Sequence, residues 1–195
     1  DPGADLGQPW TAGPVPAPQA IRGFHSVTLL EHAHQETDVL LTEVLGCRLH
    51  QQIGHRRRYV WGPGGLATRV DVVSAPDAPR GQVAVGTIHH VAWRTPDDDA
   101  QRAWRQRLVE EKISVSPVMD RQYFHSIYFH EPGGVLFEIA TDGPGFVADE
   151  KPEALGTQLR LPRWLEPERA ALESSLPKLR VPRTGPPQDE VPSTP

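Results

Sequence analysis

Two segments of mixed β-branched, aromatic and polar residues, "IRGFHSVTLL" (21–30) and "GTIHHVAWRT" (86–95), read as strands around a histidine. Each precedes a stretch with helical spacing. Over 35–45 the apolar positions are Val39, Leu40, Val44 and Leu45. Over 97–110 an Asp cluster marks the start, and Ala100, Ala103, Trp104 and Leu108 form the stripe. Three short strands follow each helix: "CRLHQQI", "RRYVWG" and "ATRVDVV" in the first case, "SVSPVM", "QYFHSIYFH" and "GVLFEIAT" in the second. "GPGG" (62–65) and "EPGG" (131–134) fill the same turn in both. The chain therefore repeats a β-α-β-β-β unit, and the coincidence of several elements makes this a stronger signal than any one motif. The expected class is α+β: two βαβββ units (21–75 and 86–142) forming cupped mixed sheets, then a C-terminal extension (143–180) with a short helix near 166–176.

Period-two alternation assigns faces within the second repeat. Val91, Trp93, Val135, Phe137 and Ile139 form the bulky face that a sheet packs against helices. The opposite face holds His90 and Glu138 among Ala92, Ala140 and Ser126, with Phe124 and Tyr128 on the corresponding face of their strand. Small residues around two metal-capable groups describe a cup with space in it. A mid-strand carboxylate between Leu136-Phe137 and Ile139-Ala140 needs a partner to be buried. A metal is one such partner and an arginine ion pair is the other, and spacing does not choose between them. Two His and a carboxylate suit non-haem Fe(II), and zinc hydrolases use the same set. By alternation, His89 belongs to the packed face, away from His90.

Composition narrows the classes. The net charge is −5, and the one basic run, His55-Arg56-Arg57-Arg58, reads as a solvated hairpin turn, so no nucleic-acid partner is expected. Cys47 is the single cysteine, which excludes an intrachain disulfide framework and a Cys-based zinc site and makes a reducing cytoplasm the default location. No apolar run approaches membrane-spanning length. The 21 prolines crowd toward the ends, so 1–20 reads as linker and 181–195 as disordered tail. A start at Asp1 with this proline-rich lead suggests a piece of something longer.

The paired units, "HHVAW" and "EPGGVLFEIATD" resemble the vicinal oxygen chelate superfamily of glyoxalases, antibiotic-resistance proteins and extradiol dioxygenases. "DRQYFHSIYFHEPGGVLFEIATDGPGF" with "LGTQLRLPRWLEPERAALESSLPKL" is similar, more specifically, to dioxygenases that open hydroquinone and chlorohydroquinone rings. That resemblance implies Fe(II), occasionally Mn(II), held by two His and one Glu. It carries His90 and Glu138 over as ligands and places Tyr128, Arg121 and His89 at the substrate site. It implies a small aromatic substrate and O2 meeting on one iron. On chemistry alone Tyr128 hydrogen-bonds or deprotonates a phenol and Arg121 holds an anionic oxygen; otherwise they are a sheet aromatic and a turn residue paired with Asp120.

Such proteins have four βαβββ units, and this chain resembles their second half. The third ligand resembles a His from a strand outside this sequence. The matching position here, from "FHSVTL" against "IHHVAW", is Ser26; His25 aligns with His89, and Asp71 is the loose counterpart of Glu138. The expectation is thus two ligands of three, with the third from a missing N-terminal half or another chain; a homo-oligomer is a further expectation. The alternatives are a non-catalytic binding or resistance module and a glyoxalase-like isomerase or lyase on Zn or Ni. His32, His34, His50, His55, His125 and His130 are expected mostly at the surface.

Overall fold

The computed structural model describes residues 7–11, 13–65 and 67–178. The expected tail (181–195) and the first residues of the proline-rich lead lie outside the described residues. Two compact units divide the chain: one spans Phe24–Lys151, the other joins 7–23 to the segment from Pro152.

Both repeats lie in the first unit. The leading repeat runs β1 (Val27–Glu31), α1 (Gln35–Val39) continued by a π-helical turn (Leu40–Val44), β2 (Arg48–Ile53), β3 (Arg56–Val60) and β4 (Arg69–Ser74). The second runs β5 (Val91–Thr95), α2 (Asp98–Glu110), β6 (Met119–Asp120), β7 (His125–His130) and β8 (Leu136–Thr141). Each forms a four-stranded mixed sheet of the same order, β1-β4-β3-β2 and β5-β8-β7-β6. The leading strand pairs parallel with the last and the remaining pairs are antiparallel. This is the α+β duplication that the sequence pattern implies.

Local chemistry explains the element bounds. Asp97 caps α2, its Oδ1 accepting the Ala100 N–H at 2.8 Å. Gln101, 1% exposed, ties that helix to its sheet through bonds from Nε2 to the carbonyls of His125 and Ile139. The 114–119 strand shrinks to Met119–Asp120 plus a single bridge, Val115 to Phe129. Pro117 sits between the two pieces and has no N–H to give a ladder. The two leading strands begin later than the sequence pattern suggests, at Val27 and Val91. Gly23 and Gly86 upstream adopt φ of +145° and +90°, which breaks the extended run.

The basic run departs most from expectation. Gly54 and His55 make the turn, and Arg56, Arg57 and Arg58 belong to β3. Alternation sends Arg56 and Arg58 to one face and Arg57, with Tyr59, to the other, where both bond Asp38. Each arginine has a carboxylate partner within reach, so a strand of charges is stable there.

The core joins the repeats. Leu29, Leu41, Tyr59, Val70 and Val72 of the first share one buried cluster with Leu108, Ile127, Phe129, Phe137 and Ile139 of the second. Trp61 and Trp93 meet with ring centroids 4.5 Å apart, and Trp93 lies edge-on to Phe137 at 5.5 Å. Cys47 is buried in this cluster, and burial pushes its thiol well above the ordinary range. In the second unit, Arg169 opens α3 (Arg169–Ser175) and bridges Glu166 and Glu173.

Candidate metal centre

The register of the second sheet brings the expected face together. Glu138 on β8 stands opposite Ala92 on β5 and Tyr128 on β7, while Ser126 stands opposite Ala140. Glu138 is 2% exposed. Its Oε1 accepts the Tyr128 hydroxyl at 2.9 Å and the Ser126 hydroxyl, and its Oε2 lies 2.7 Å from His90 Nε2. Two neutral hydroxyls thus hold one carboxylate oxygen and leave the other turned toward an imidazole nitrogen. Arg121 completes the cluster: its Nε donates to the Tyr128 hydroxyl oxygen at 3.3 Å, and its guanidinium lies 5.2 Å from the Tyr128 ring centre. Asp120 instead accepts the Gln122 N–H, so Arg121 is not a turn residue tied to Asp120.

His89 does not sit on the packed face that alternation assigns to it. It and His90 precede β5, so strand alternation does not govern them. The His89 ring turns toward its neighbour, with Nδ1 3.0 Å from His90 Nδ1 and the rings nearly perpendicular. His89 is exposed and His90 half-buried. The five residues singled out in the sequence are therefore contiguous: His89 to His90, His90 to Glu138, Glu138 to Tyr128, Tyr128 to Arg121. Ser126, noted in the sequence only for its small size, is fully buried and holds the carboxylate directly. Its place two residues from Tyr128 on the Glu138 face was the signal for that role.

The first repeat shows what the same position becomes with a different partner. Asp71 on β4 stands opposite Thr28 on β1 and Arg58 on β3, the same relation Glu138 has to Ala92 and Tyr128. Arg56 then matches Ser126, and Ser26 matches His90. Asp71 is 1% exposed and accepts Arg56 Nη1 at 2.7 Å, Arg58 Nε at 2.7 Å and Arg58 Nη2 at 2.8 Å. Arg58, then Arg56, hold its carboxyl below the usual carboxylate range. Here the buried carboxylate has internal cations. In the second repeat the same position has hydroxyls and an imidazole. Its donor set, imidazole nitrogen facing carboxylate oxygen, fits a divalent transition metal.

The described residues supply two such donors. Among them, no group of three His, Cys, Asp or Glu side chains is arranged to hold a metal. His25 does not fill the gap: its Nδ1 lies 3.1 Å from Ser26 Oγ, and its Nε2 accepts from Arg69 in the first sheet. Among the described residues no helix is long and apolar enough to cross a membrane.

Comparison with known proteins agrees with this architecture. Residues 40–139 match the Glyoxalase/Bleomycin resistance protein/Dioxygenase superfamily, and the chain belongs to that family. MhqO of Bacillus subtilis, named as a ring-cleaving dioxygenase, is 41% identical over 167 residues, which are 86% of this chain and 53% of MhqO. The chlorohydroquinone/hydroquinone 1,2-dioxygenase of Sphingobium indicum is 36% identical over 164 residues, 82% of this chain and 50% of that protein. A crystal structure from Bacillus subtilis described as a dioxygenase superposes with a TM-score of 0.83 at 40% identity, covering 90% of this chain and 56% of its own. A glyoxalase/dioxygenase from Nostoc punctiforme, at 17% identity and a TM-score of 0.55 over 67% of this chain, shares the fold. The chain spans about half the length of the curated relatives it matches.

Proposed function

We propose that the chain is the metal-bearing half of a ring-cleaving dioxygenase of the extradiol type. It acts on a hydroquinone-like or catechol-like aromatic with O2, and His90 and Glu138 hold Fe(II) or Mn(II). The observation that carries this reading is the contrast between the repeats. Asp71 is neutralised by two guanidiniums, whereas Glu138, equally buried, has among the described residues His90 as its only ion-pair partner. A buried carboxylate so placed calls for a cation from outside. The names of the relatives supply the reaction class and the aromatic substrate.

A bound iron supplies the open coordination positions and the redox chemistry that ring opening with O2 requires. The chain's own residues do the rest. Ser126 and Tyr128 fix the Glu138 carboxylate by its Oε1. Tyr128 exchanges its bond to Glu138 for one to a ring hydroxyl and takes part in moving that proton. Arg121, beside the Tyr128 hydroxyl, stabilises negative charge on the ring oxygen. The third ligand is a His from a further βαβββ unit, in a longer form of the chain or in a second chain.

The test is metal content and O2 uptake with hydroquinone, for the chain alone and with a companion unit that carries the third His. Metal loading that depends on His90 and Glu138, with O2 uptake only in the completed assembly, is the expected result. Unchanged iron content in His90→Ala sinks the assignment. A second reading, a non-catalytic small-molecule-binding module, draws on the two-donor count among the described residues. It predicts ligand binding with no metal and no O2 uptake in either state.

A further inference from the structure

Away from the metal face, a pair of buried carboxyls joins the two repeats. Glu31 ends β1 of the first repeat, and Glu131 opens the "EPGG" turn of the second. Each is 2% exposed. Gly133 marks how close they are: a Cβ there would lie 2.6 Å from Glu31 Cδ and 2.8 Å from Glu131 Oε1.

The two acids have unequal surroundings. Glu131 has its donors: Oε2 takes the Thr37 hydroxyl at 2.6 Å and the Gly133 N–H at 2.8 Å, and Oε1 takes the Val135 N–H at 2.7 Å. Neither oxygen of Glu31 makes a hydrogen bond of normal geometry; the nearby Thr37 hydroxyl, which acts on it, is committed to Glu131. The titratable groups acting on Glu31 are Glu131 from the turn and Asp38 from α1, both acidic. Asp38 is itself engaged by Arg57 and Tyr59 from β3 and lies 3.8 Å from His34 Nε2. An ionised Glu31 would be a buried charge beside a buried charge, with no donor of its own.

We propose that Glu31 is a proton-carrying latch: a neutral acid whose hydroxyl is offered to the Thr37–Glu131 pair, fastening β1 of one repeat to the turn that leads into β8 of the other, and loosening when that proton leaves. Burial, then the charge of Glu131, raises the Glu31 carboxyl from 4.5 to about 7. A folded value above the unfolded one gives stability that is fully present below the unfolded value and is lost as pH rises to the folded one. The latch is therefore fastened in mild acid and released through neutrality. Because the turn delivers β8, it bears on the strand that carries Glu138, yet it stands independently of any metal.

The experiment compares melting temperatures of the wild-type chain and Glu31→Gln, a neutral isostere, across pH from about 4 to about 9. The lead of the variant should grow with pH by roughly 5–10 °C and level off above about 7. A difference between the two that stays constant across pH overturns the proposal. A second readout needs no variant: infrared spectroscopy of the wild-type chain should show a protonated carboxyl C=O band in mild acid, where ordinary carboxylates are ionised, and its loss in mild alkali. Absence of that band in mild acid equally overturns the proposal.

Discussion

The repeats offer a paired perturbation. Neutralising the same buried carboxylate should have opposite consequences in the two sheets. In Asp71→Asn, three charge-assisted bonds at 2.7–2.8 Å are weakened and an amide N–H2 is forced against a guanidinium. Such bonds are worth about 1.5–3 kcal/mol each. The Arg56 and Arg58 side chains are 48% and 27% exposed, so water recovers part of that loss. The net cost is roughly 2–4 kcal/mol. In Glu138→Gln the amide oxygen still accepts from Ser126 and Tyr128, and the amide nitrogen faces His90 Nε2. A buried charge disappears with little lost, so stability should change by about 1 kcal/mol or less. The assay is urea unfolding of both variants in chelator at neutral pH. At a slope of about 2 kcal/mol/M, Asp71→Asn moves the midpoint down by roughly 1–2 M and Glu138→Gln hardly moves it. The sign with pH follows from the depressed Asp71 carboxyl: its contribution is present above the ordinary value of 3.8 and disappears as pH falls through the folded value. The deficit of Asp71→Asn should therefore close in strong acid. Equal costs for the two variants, or an Asp71 cost under about 0.5 kcal/mol, would refute the reasoning that one sheet neutralises its carboxylate internally and the other does not.

Ser126→Ala removes the buried hydroxyl that holds Glu138 Oε1 and should weaken metal binding by about 10–100-fold, measured by titrating metal-free protein, with little change in unfolding midpoint. Phe137→Ala empties a fully buried site between the Trp93 and Phe129 rings and should cost about 3–5 kcal/mol by urea unfolding.

Period-two alternation made the second repeat legible. It placed Glu138, Ser126 and Tyr128 on one face, because a slip of register by one residue would turn the whole set over; His90 reaches the same face from just ahead of β5. Asp71 is only a loose counterpart of Glu138 in the sequence, and the strand registers make the match firm. Other features escaped for physical reasons. Three consecutive arginines look like a turn until their partners are known, and Asp38 and Asp71 lie 13 or more residues away in sequence. His89 lies ahead of β5, where alternation has no hold on which way a side chain turns. Glu31 and Glu131 are one hundred positions apart, and nothing in "TLLEHA" or "HEPGG" signals that they meet.

The contact between Trp61 and Trp93 gives the molecule an optical signature of its own. Each indole comes from a different repeat, and at 4.5 Å their transition dipoles are close enough to couple. Their paired circular-dichroism signal would then report the joining of the two halves, and its decay during unfolding would time their separation apart from the melting of either sheet.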